Sequence, residues 1–201
     1  DLAMMRAIHG STVLYPSDAV STAKLVEKMY GVEGVSYMRT TREKTRVLYK
    51  DEDTFEIGGS KVLRSSADDM LTLVGAGITL HECLKAHDEL KAQGIHVRVI
   101  DLYSIKPIDA KTLTTAARET GTLIVVEDHW PEGGMGDAVL DAFTPKGPVT
   151  RGGKVASLDI LPKIVKIAVR DMPGSGSPEE LMDAAGITSS HIVATVKSLV
   201  S

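Results

Sequence analysis

Three ionisable side chains stand together at the end of an apolar run in the second half of the chain. Glu127, Asp128 and His129 follow the run Thr-Leu-Ile-Val-Val at 122–126 and precede a glycine-rich turn. A β-branched run without polar alternation is typical of a strand buried on both faces. Open α/β sheets place ligands and contacts at the carboxyl ends of such strands. These groups could do acid–base chemistry, but we favour hydrogen bonding at a domain or subunit contact.

The glycine-rich turn offers a second kind of chemistry. Glycines at 133, 134 and 136 precede a predicted helix at 137–143, whose backbone donors could cradle a phosphate. The lysine of a P-loop is missing, so we favour a sharp turn and close packing. Trp130, the one tryptophan of the chain, favours an interface because its ring is large and amphipathic.

Two arginines could bind an anion. Arg39 and Arg42 end a predicted strand within a local basic cluster that also contains Lys44, Arg46 and Lys50. A guanidinium group binds phosphate through two parallel hydrogen bonds. The alternative is a solvated loop whose surface ion pairs contribute about 0–1 kcal/mol. The residue types alone leave both interpretations open.

Other motifs are weaker. Gly75-Ala-Gly77 has the form of a dinucleotide fingerprint, but Leu80 replaces its third glycine, and we favour a tight structural turn over NAD binding. His81-Glu82 resembles the start of a zinc-protease helix, but Lys85 stands where the second histidine should be. Cys83 has no activating neighbour and is predicted to be a small core residue. We therefore expect no metal site within this chain.

The elements that position these residues form two predicted segments. In the first, helices are predicted at 1–8 and from a cap at 17 or 18 to 30, and strands at 11–15, 35–40 and 46–49. In the second, strands at 70–74, 96–102, 122–126 and 154–160 alternate with helices at 80–92 and 109–119. A capping box at Ser177–Glu180 begins one helix, and another runs from 188–190 to 200. This alternation predicts an α/β fold whose second segment is a mostly parallel sheet with flanking helices.

Composition excludes several classes of protein. The 201 residues carry a net charge of −4 with no dominant basic face, so nucleic acid is not an expected partner. No apolar run approaches the ~20 residues of a membrane helix, and no membrane association is expected. One cysteine cannot form an internal disulfide, which favours the cytoplasm.

The order and spacing of several motifs resemble transketolase, over its C-terminal portion and almost the whole length of this chain. The matching stretches are Asp1-Leu-Ala-Met-Met-Arg6, Tyr15-Pro-Ser-Asp18, Met38-Arg-Thr-Thr-Arg42, Val74-Gly-Ala-Gly-Ile-Thr-Leu-His-Glu82, Arg98-Val-Ile-Asp-Leu102, Ile105-Lys-Pro107 and Val126-Glu-Asp-His129. Correspondence is weakest from Phe143 to Arg170. The resemblance implies that residues 1–62 are the end of the pyrimidine-binding domain, an incomplete α/β segment, and that residues 63–201 are the transketolase C-terminal domain.

The resemblance also implies a function. Transketolases move a two-carbon ketol unit between sugar phosphates, in the pentose phosphate pathway, as homodimers that use thiamine diphosphate and a divalent metal (Mg or Ca). Arg42 matches the arginine that binds the substrate phosphate, and Arg39 is a neighbour with a structural role. Catalytic, cofactor-binding and metal-binding residues all fall upstream. We therefore expect a portion of a longer protein that needs its N-terminal part and is inactive alone.

Two alternatives remain open at this point. A related thiamine diphosphate enzyme, such as deoxyxylulose-phosphate synthase or the β subunit of a 2-oxoacid dehydrogenase, would share the C-terminal fold. A non-catalytic interaction or regulatory module would explain the incomplete sheet of the first segment, whose edge and apolar surface need a partner.

Overall fold

A computed structural model describes residues 1–42, 44–144 and 161–200. The first segment contains α1 (Leu2–Ala7), β1 (Thr12–Leu14), α2 (Ala19–Tyr30) and β2 (Ser36–Met38). The Asp18 carboxylate accepts a hydrogen bond from the Ser21 backbone N–H, and the Ser21 hydroxyl bonds back to Asp18, which fixes the start of α2. Helix α2 therefore begins at the predicted cap.

The second segment has more strands than its sequence pattern indicates. It contains β3 (Lys61–Arg64), β4 (Leu71–Gly75), α3 (Ile78–Ala92), β5 (Val97–Asp101), β6 (Ser104–Lys106), α4 (Ala110–Thr120), β7 (Thr122–Glu127), α5 (Met135–Ala142), β8 (Lys163–Ala168), α6 (Pro178–Ala184) and α7 (Ser189–Val200). The capping box predicted at Ser177 is confirmed at the start of α6. The strand predicted at 154–160 lies outside the described residues.

A five-stranded sheet forms the centre of the second segment. Its order is β3-β5-β4-β7-β8, and β5, β4, β7 and β8 run parallel while β3 is an antiparallel edge strand. Helices α4 and α5 cover one face, and α3 and α7 pack together on the other. The predicted α/β class with a mostly parallel sheet and flanking helices is confirmed. The predicted division at 62–63 falls within β3 and stays a prediction.

A smaller sheet joins the two segments. Strand β1 pairs in parallel with β2 and antiparallel with β6, so the order is β2-β1-β6. Because β6 comes from the second segment, the first segment is held by backbone hydrogen bonds as well as by side-chain packing. Leu2, Val13 and Tyr15 belong to the same apolar core as strands β4 and β7 and helices α4 and α5.

Three sequence predictions need correction. Residues 46–49 form no strand, because the N–H groups of Leu48 and Tyr49 donate to the Asp18 carboxylate instead of to a neighbouring strand. Strands β3 and β6 were not predicted, because each is short and has only one or two apolar residues next to charged or polar ones. Strand β8 was also missed, because lysines interrupt its apolar run at a sheet position where one side of the strand is partly exposed.

No helix in the described part of the chain has both the length and the apolar character needed to cross a bilayer.

Candidate functional site

Side chains from both segments meet at the carboxyl ends of β4 and β7. From β4 the chain continues to β5 on one side of the sheet, whereas β7 and β8 lie on the other side of β4. This change of side leaves a crevice between β4 and β7, and open α/β folds bind their ligands in such a crevice. Here the crevice receives Tyr15, which follows β1 and is 2% exposed. Gly77 contacts the Tyr15 ring, and the Tyr15 hydroxyl donates to Asp128 Oδ2 at 2.9 Å. A side chain of the protein therefore fills the place of a ligand.

Arg39 completes this cluster. Its Nη1 donates to Asp128 Oδ1 at 3.2 Å, and its Nη2 donates to the Asp128 carbonyl oxygen at 3.1 Å. The guanidinium carbon lies 4.9 Å from the centre of the Tyr15 ring, a cation–π distance. Arg39 Nε also lies 3.4 Å from Asp1 Oδ2. The structural role predicted for Arg39 is thereby confirmed.

Glu127 and His129, the sequence neighbours of Asp128, form hydrogen bonds with different parts of the chain. The Glu127 carboxylate accepts from the N–H groups of Met135 and Gly136 and so caps α5. Burial raises the pKa of Glu127 to about 7, although these donors and Lys166 oppose the rise. His129 Nε2 accepts from the Ala3 N–H at 3.4 Å, and burial lowers its pKa. Asp128 and His129 thus form hydrogen bonds with the first segment, whereas Glu127 bonds within its own loop. That these contacts lie between domains stays a prediction.

The remaining motif residues have different surroundings, and packing accounts for Gly75 and Cys83. A Cβ atom at Gly75 would lie 2.9 Å from the Leu80 backbone, so that glycine permits close approach of β4 and α3. Cys83 is fully buried and its pKa is raised by burial, which confirms it as a core residue. His81 Nε2 lies 2.7 Å from the Ser17 carbonyl oxygen. Trp130 is 41% exposed. Within the described ranges, no three His, Cys, Asp or Glu side chains are grouped to hold a metal ion.

Arg42 lies apart from the Tyr15 cluster. It is exposed, in the irregular segment that follows β2, which we call the arginine segment (residues 39–42 and 44–49). This segment forms one wall of a cavity of about 550 Å³, and the start of α2 forms the other. The polar lining comes from Ser17, Asp18, Thr22, Thr40, Thr41, Lys44 and Thr45. The structure therefore separates the two arginines that the sequence places together.

A second buried cluster holds the far end of the arginine segment. The Tyr49 hydroxyl donates to Asp101 Oδ2 at 2.5 Å, and the Ser17 hydroxyl donates to Asp101 Oδ1 at 2.9 Å. Asp101 lies at the end of β5 and is fully buried. Sequence reasoning missed this cluster, because residues 46–49 were predicted to form a strand and Asp101 was placed within another one. The available signal was a carboxylate at the end of a buried strand.

Asp101 should make stability depend on pH. Burial raises its pKa to about 7, reinforced by Asp18 and opposed by the Tyr49 and Ser17 hydroxyls and by Lys61. In the unfolded chain the pKa of an Asp is about 3.9, so between about pH 3.9 and 7 the folded state holds a proton that the unfolded state has lost. The contribution of this proton to the free energy of unfolding is therefore highest below about pH 3.9 and falls as the pH rises towards 7. The side chain introduced by Asp101→Asn cannot ionise. We therefore expect the free energy of unfolding of this variant, relative to that of the parent chain, to rise between pH 5 and 7.

Urea unfolding of both chains at pH 5, 6, 7 and 8 measures this effect. The difference in unfolding free energy should grow by up to ~1.4 kcal/mol per pH unit and level off above pH 7. A constant difference over the whole range would mean that Asp101 is ionised throughout.

Comparison with known proteins agrees with this architecture. A family model described as the transketolase C-terminal domain matches residues 60–192. The chain belongs to the transketolase family. Mouse transketolase-like protein 2 is 47% identical over 201 residues, which are 100% of this chain and 30% of that protein. Mouse transketolase is 41% identical over 202 residues, again 100% of this chain and 30% of that protein.

A solved transketolase structure supports the same assignment. A split-gene transketolase, described as an inactive beta4 tetramer, superposes with a TM-score of 0.83 at 32% identity. The match covers 98% of this chain and 59% of that one. The chain thus spans about 30% of the length of the curated transketolases and transketolase-like proteins given above.

Proposed function

We propose that this chain is the C-terminal portion of a cytoplasmic transketolase, which transfers a two-carbon ketol unit between sugar phosphates as a complete homodimer. Membership of the transketolase family supports this assignment. In the proposed enzyme, residues 1–62 end the pyrimidine-binding domain and residues 63–201 form the C-terminal domain. The chain alone is inactive, because the N-terminal part supplies the catalytic groups.

The cofactor of the proposed enzyme is thiamine diphosphate with magnesium or calcium. When bound, it supplies the carbanion that attacks a ketose carbonyl, while protein groups orient the reactants. Among the described residues, no three His, Cys, Asp or Glu side chains are grouped to hold its metal ion. In the proposed enzyme the N-terminal part holds the cofactor, and we derive no step through it.

The different surroundings of Arg39 and Arg42 are the observation that carries the proposal. Arg39 is engaged with Asp128 and lies beside Asp1, so its charge is already offset. Arg42 is exposed beside Thr41, which lines the cavity between the arginine segment and α2. Among described residues, no carboxylate forms an ion pair with Arg42. A guanidinium in this position is suited to a phosphate that arrives with the substrate.

Arg42→Ala in the complete enzyme should raise KM for xylulose 5-phosphate and ribose 5-phosphate. A lost hydrogen bond to a charged group weakens binding by about 1.5–3 kcal/mol, roughly a 10- to 150-fold rise. Thiamine diphosphate affinity should stay the same. Steady-state ketol transfer, with KM measured for each sugar phosphate, gives the result. An unchanged KM would remove Arg42 from the substrate site.

Lys50→Ala is the matched control. Lys50 is another cation, just beyond the arginine segment. Its side chain is 80% exposed, and its Nζ lies 3.9 Å from Glu52 Oε1, which is a weak ion pair. Its loss should therefore leave KM unchanged. The chain alone, with thiamine diphosphate and magnesium, should be inactive. Activity in the chain alone would contradict the proposed location of the cofactor site. No ketol transfer in the complete protein would favour a related thiamine diphosphate enzyme or a non-catalytic module.

A further inference from the structure

Both ends of the arginine segment are held by carboxylates that lie at the carboxyl ends of strands in the five-stranded sheet. At the first end, Arg39 is bound by Asp128, which directly follows β7. At the second end, the Tyr49 hydroxyl is bound by Asp101, the last residue of β5. The five-stranded sheet, which we also call the C-terminal sheet, therefore fixes the positions of both ends of this segment.

The second end has the denser set of contacts. The N–H groups of Leu48 and Tyr49 donate to Asp18 Oδ2 at 2.7 and 2.9 Å. The Tyr49 ring is 6% exposed and meets Phe55 edge-on, with ring centres 4.8 Å apart. Asp101 also accepts from Ser17, whose hydroxyl oxygen accepts from the Gly77 N–H at 3.0 Å. Both the side chain and the backbone of Tyr49 are fixed by these bonds.

Between these ends the segment carries three exposed cations, Arg42, Lys44 and Arg46, and none of them lies in a strand or a helix. Like charges repel one another, and ordering an irregular backbone costs conformational entropy. Binding is stronger when a segment is already ordered before the ligand arrives. The anchors at residues 39 and 49 therefore bear directly on how well Arg42 is oriented.

We propose that Tyr49 and Asp101 are positioning residues for Arg42 and so determine the preference for sugars that carry a terminal phosphate. This inference rests on the proposed function. The C-terminal sheet acts on the substrate through the arginine segment, without a contact of its own. Loss of the Tyr49–Asp101 bond loosens the second end of the segment, which Asp18 still holds through the backbone, and weakens phosphate binding, while the carbonyl chemistry is unaffected.

A purely structural cluster would behave differently. If Tyr49 and Asp101 only stabilised the fold, their substitution would lower the amount of active enzyme for all sugars alike. A positioning role instead changes KM for phosphorylated sugars and leaves kcat, and the activity with xylulose and ribose lacking phosphate, unchanged. The ratio of kcat/KM for the two sugar pairs therefore separates the two roles.

The test uses Tyr49→Phe in the complete enzyme, because this change removes one hydroxyl and keeps the buried ring. We expect KM for xylulose 5-phosphate to rise about threefold to tenfold, as for one lost hydrogen bond, with kcat unchanged. Asp101→Asn should give a change in the same direction and carries the test if Tyr49→Phe does not fold. Equal loss of activity with both sugar pairs, or no change in KM, would overturn the inference.

Two further variants complete the design. Thr72→Val removes a buried hydroxyl that bonds to Thr120 at 2.9 Å, near the opposite end of β4, and should leave the kcat/KM ratio unchanged. In an Arg42→Ala background, Tyr49→Phe should have no further effect on KM, because the group that it positions is gone. If Arg42→Ala changes KM and Tyr49→Phe does not, only this inference fails. If neither changes KM, the proposed phosphate-binding role of Arg42 fails as well, whereas the proposed function itself fails only if the complete parent enzyme shows no ketol transfer.

Discussion

Asp128→Ala is expected to lower the free energy of unfolding of the chain by about 3–5 kcal/mol, as when one partner of a largely buried ion pair is removed. The Asp128 side chain is 14% exposed and that of Arg39 is 21% exposed. The substitution leaves the Tyr15 hydroxyl, which donates to Asp128, without an acceptor in the core. Arg39 keeps its hydrogen bond to the backbone carbonyl at position 128, but it loses the Asp128 carboxylate and retains the Asp1 carboxylate at 3.4 Å.

Asp141→Ala provides a control with the same kind of contact between segments. Asp141 forms an ion pair with Arg6 at 2.9 Å, but its side chain is 69% exposed. Exposed pairs contribute about 0–1 kcal/mol, so this variant should unfold almost like the parent chain. Chemical denaturation of the three chains at one pH and salt concentration gives the comparison. Similar losses for both variants would mean that the Tyr15 crevice is not a buried contact.

Gly77→Ala is expected to destabilise the chain by about 2–6 kcal/mol through two separate effects. Gly77 has φ +54° and ψ −129°, a backbone conformation that costs other residues about 1–3 kcal/mol. An added Cβ atom would also overlap the Tyr15 ring, and overpacking of a core costs about 1–3 kcal/mol. Since Tyr15 is held by Asp128, the ring has little freedom to move away.

Gly94→Ala separates the two effects. Gly94 has φ +77°, and a Cβ atom there would have no neighbour within 4 Å. Its substitution should therefore show only the backbone cost, about 1–2 kcal/mol. Thermal or urea unfolding should give a larger loss for Gly77→Ala than for Gly94→Ala. Equal losses would mean that Tyr15 does not occupy the crevice.

These two predictions describe one physical feature, a ligand-type crevice filled by the protein itself. The Gly75-Ala-Gly77 turn has the form of a nucleotide-binding motif because it follows a parallel strand and precedes a helix. The Tyr15 ring lies against Gly77, in the space that an approaching ligand would need. The same Gly-Ala-Gly turn can thus bind a ligand or receive a side chain of the protein. Here Tyr15, 62 positions before Gly77 in the chain, occupies the space.

Local sequence was sufficient for the elements whose signals are local. The buried run at 122–126, the capping box at Ser177 and the cap at Asp18 each predicted an element that the structure contains. Such signals depend on side-chain periodicity and on hydrogen bonds within four residues, so they can be recognised without the rest of the fold. The order of the motifs was likewise enough to indicate the transketolase family.

Tertiary structure alone decided which distant residues meet. Nothing in the residues around Asp101 indicates that Tyr49 donates to it, and nothing around Asp18 indicates that it binds the backbone at 48 and 49. The short strand β6 was invisible for the same reason, since its partner β1 lies about 90 residues away. The physical cause is that hydrogen bonds between segments depend on the three-dimensional path of the chain. Arg42 could be named from sequence, but the carboxylates that hold its segment could not.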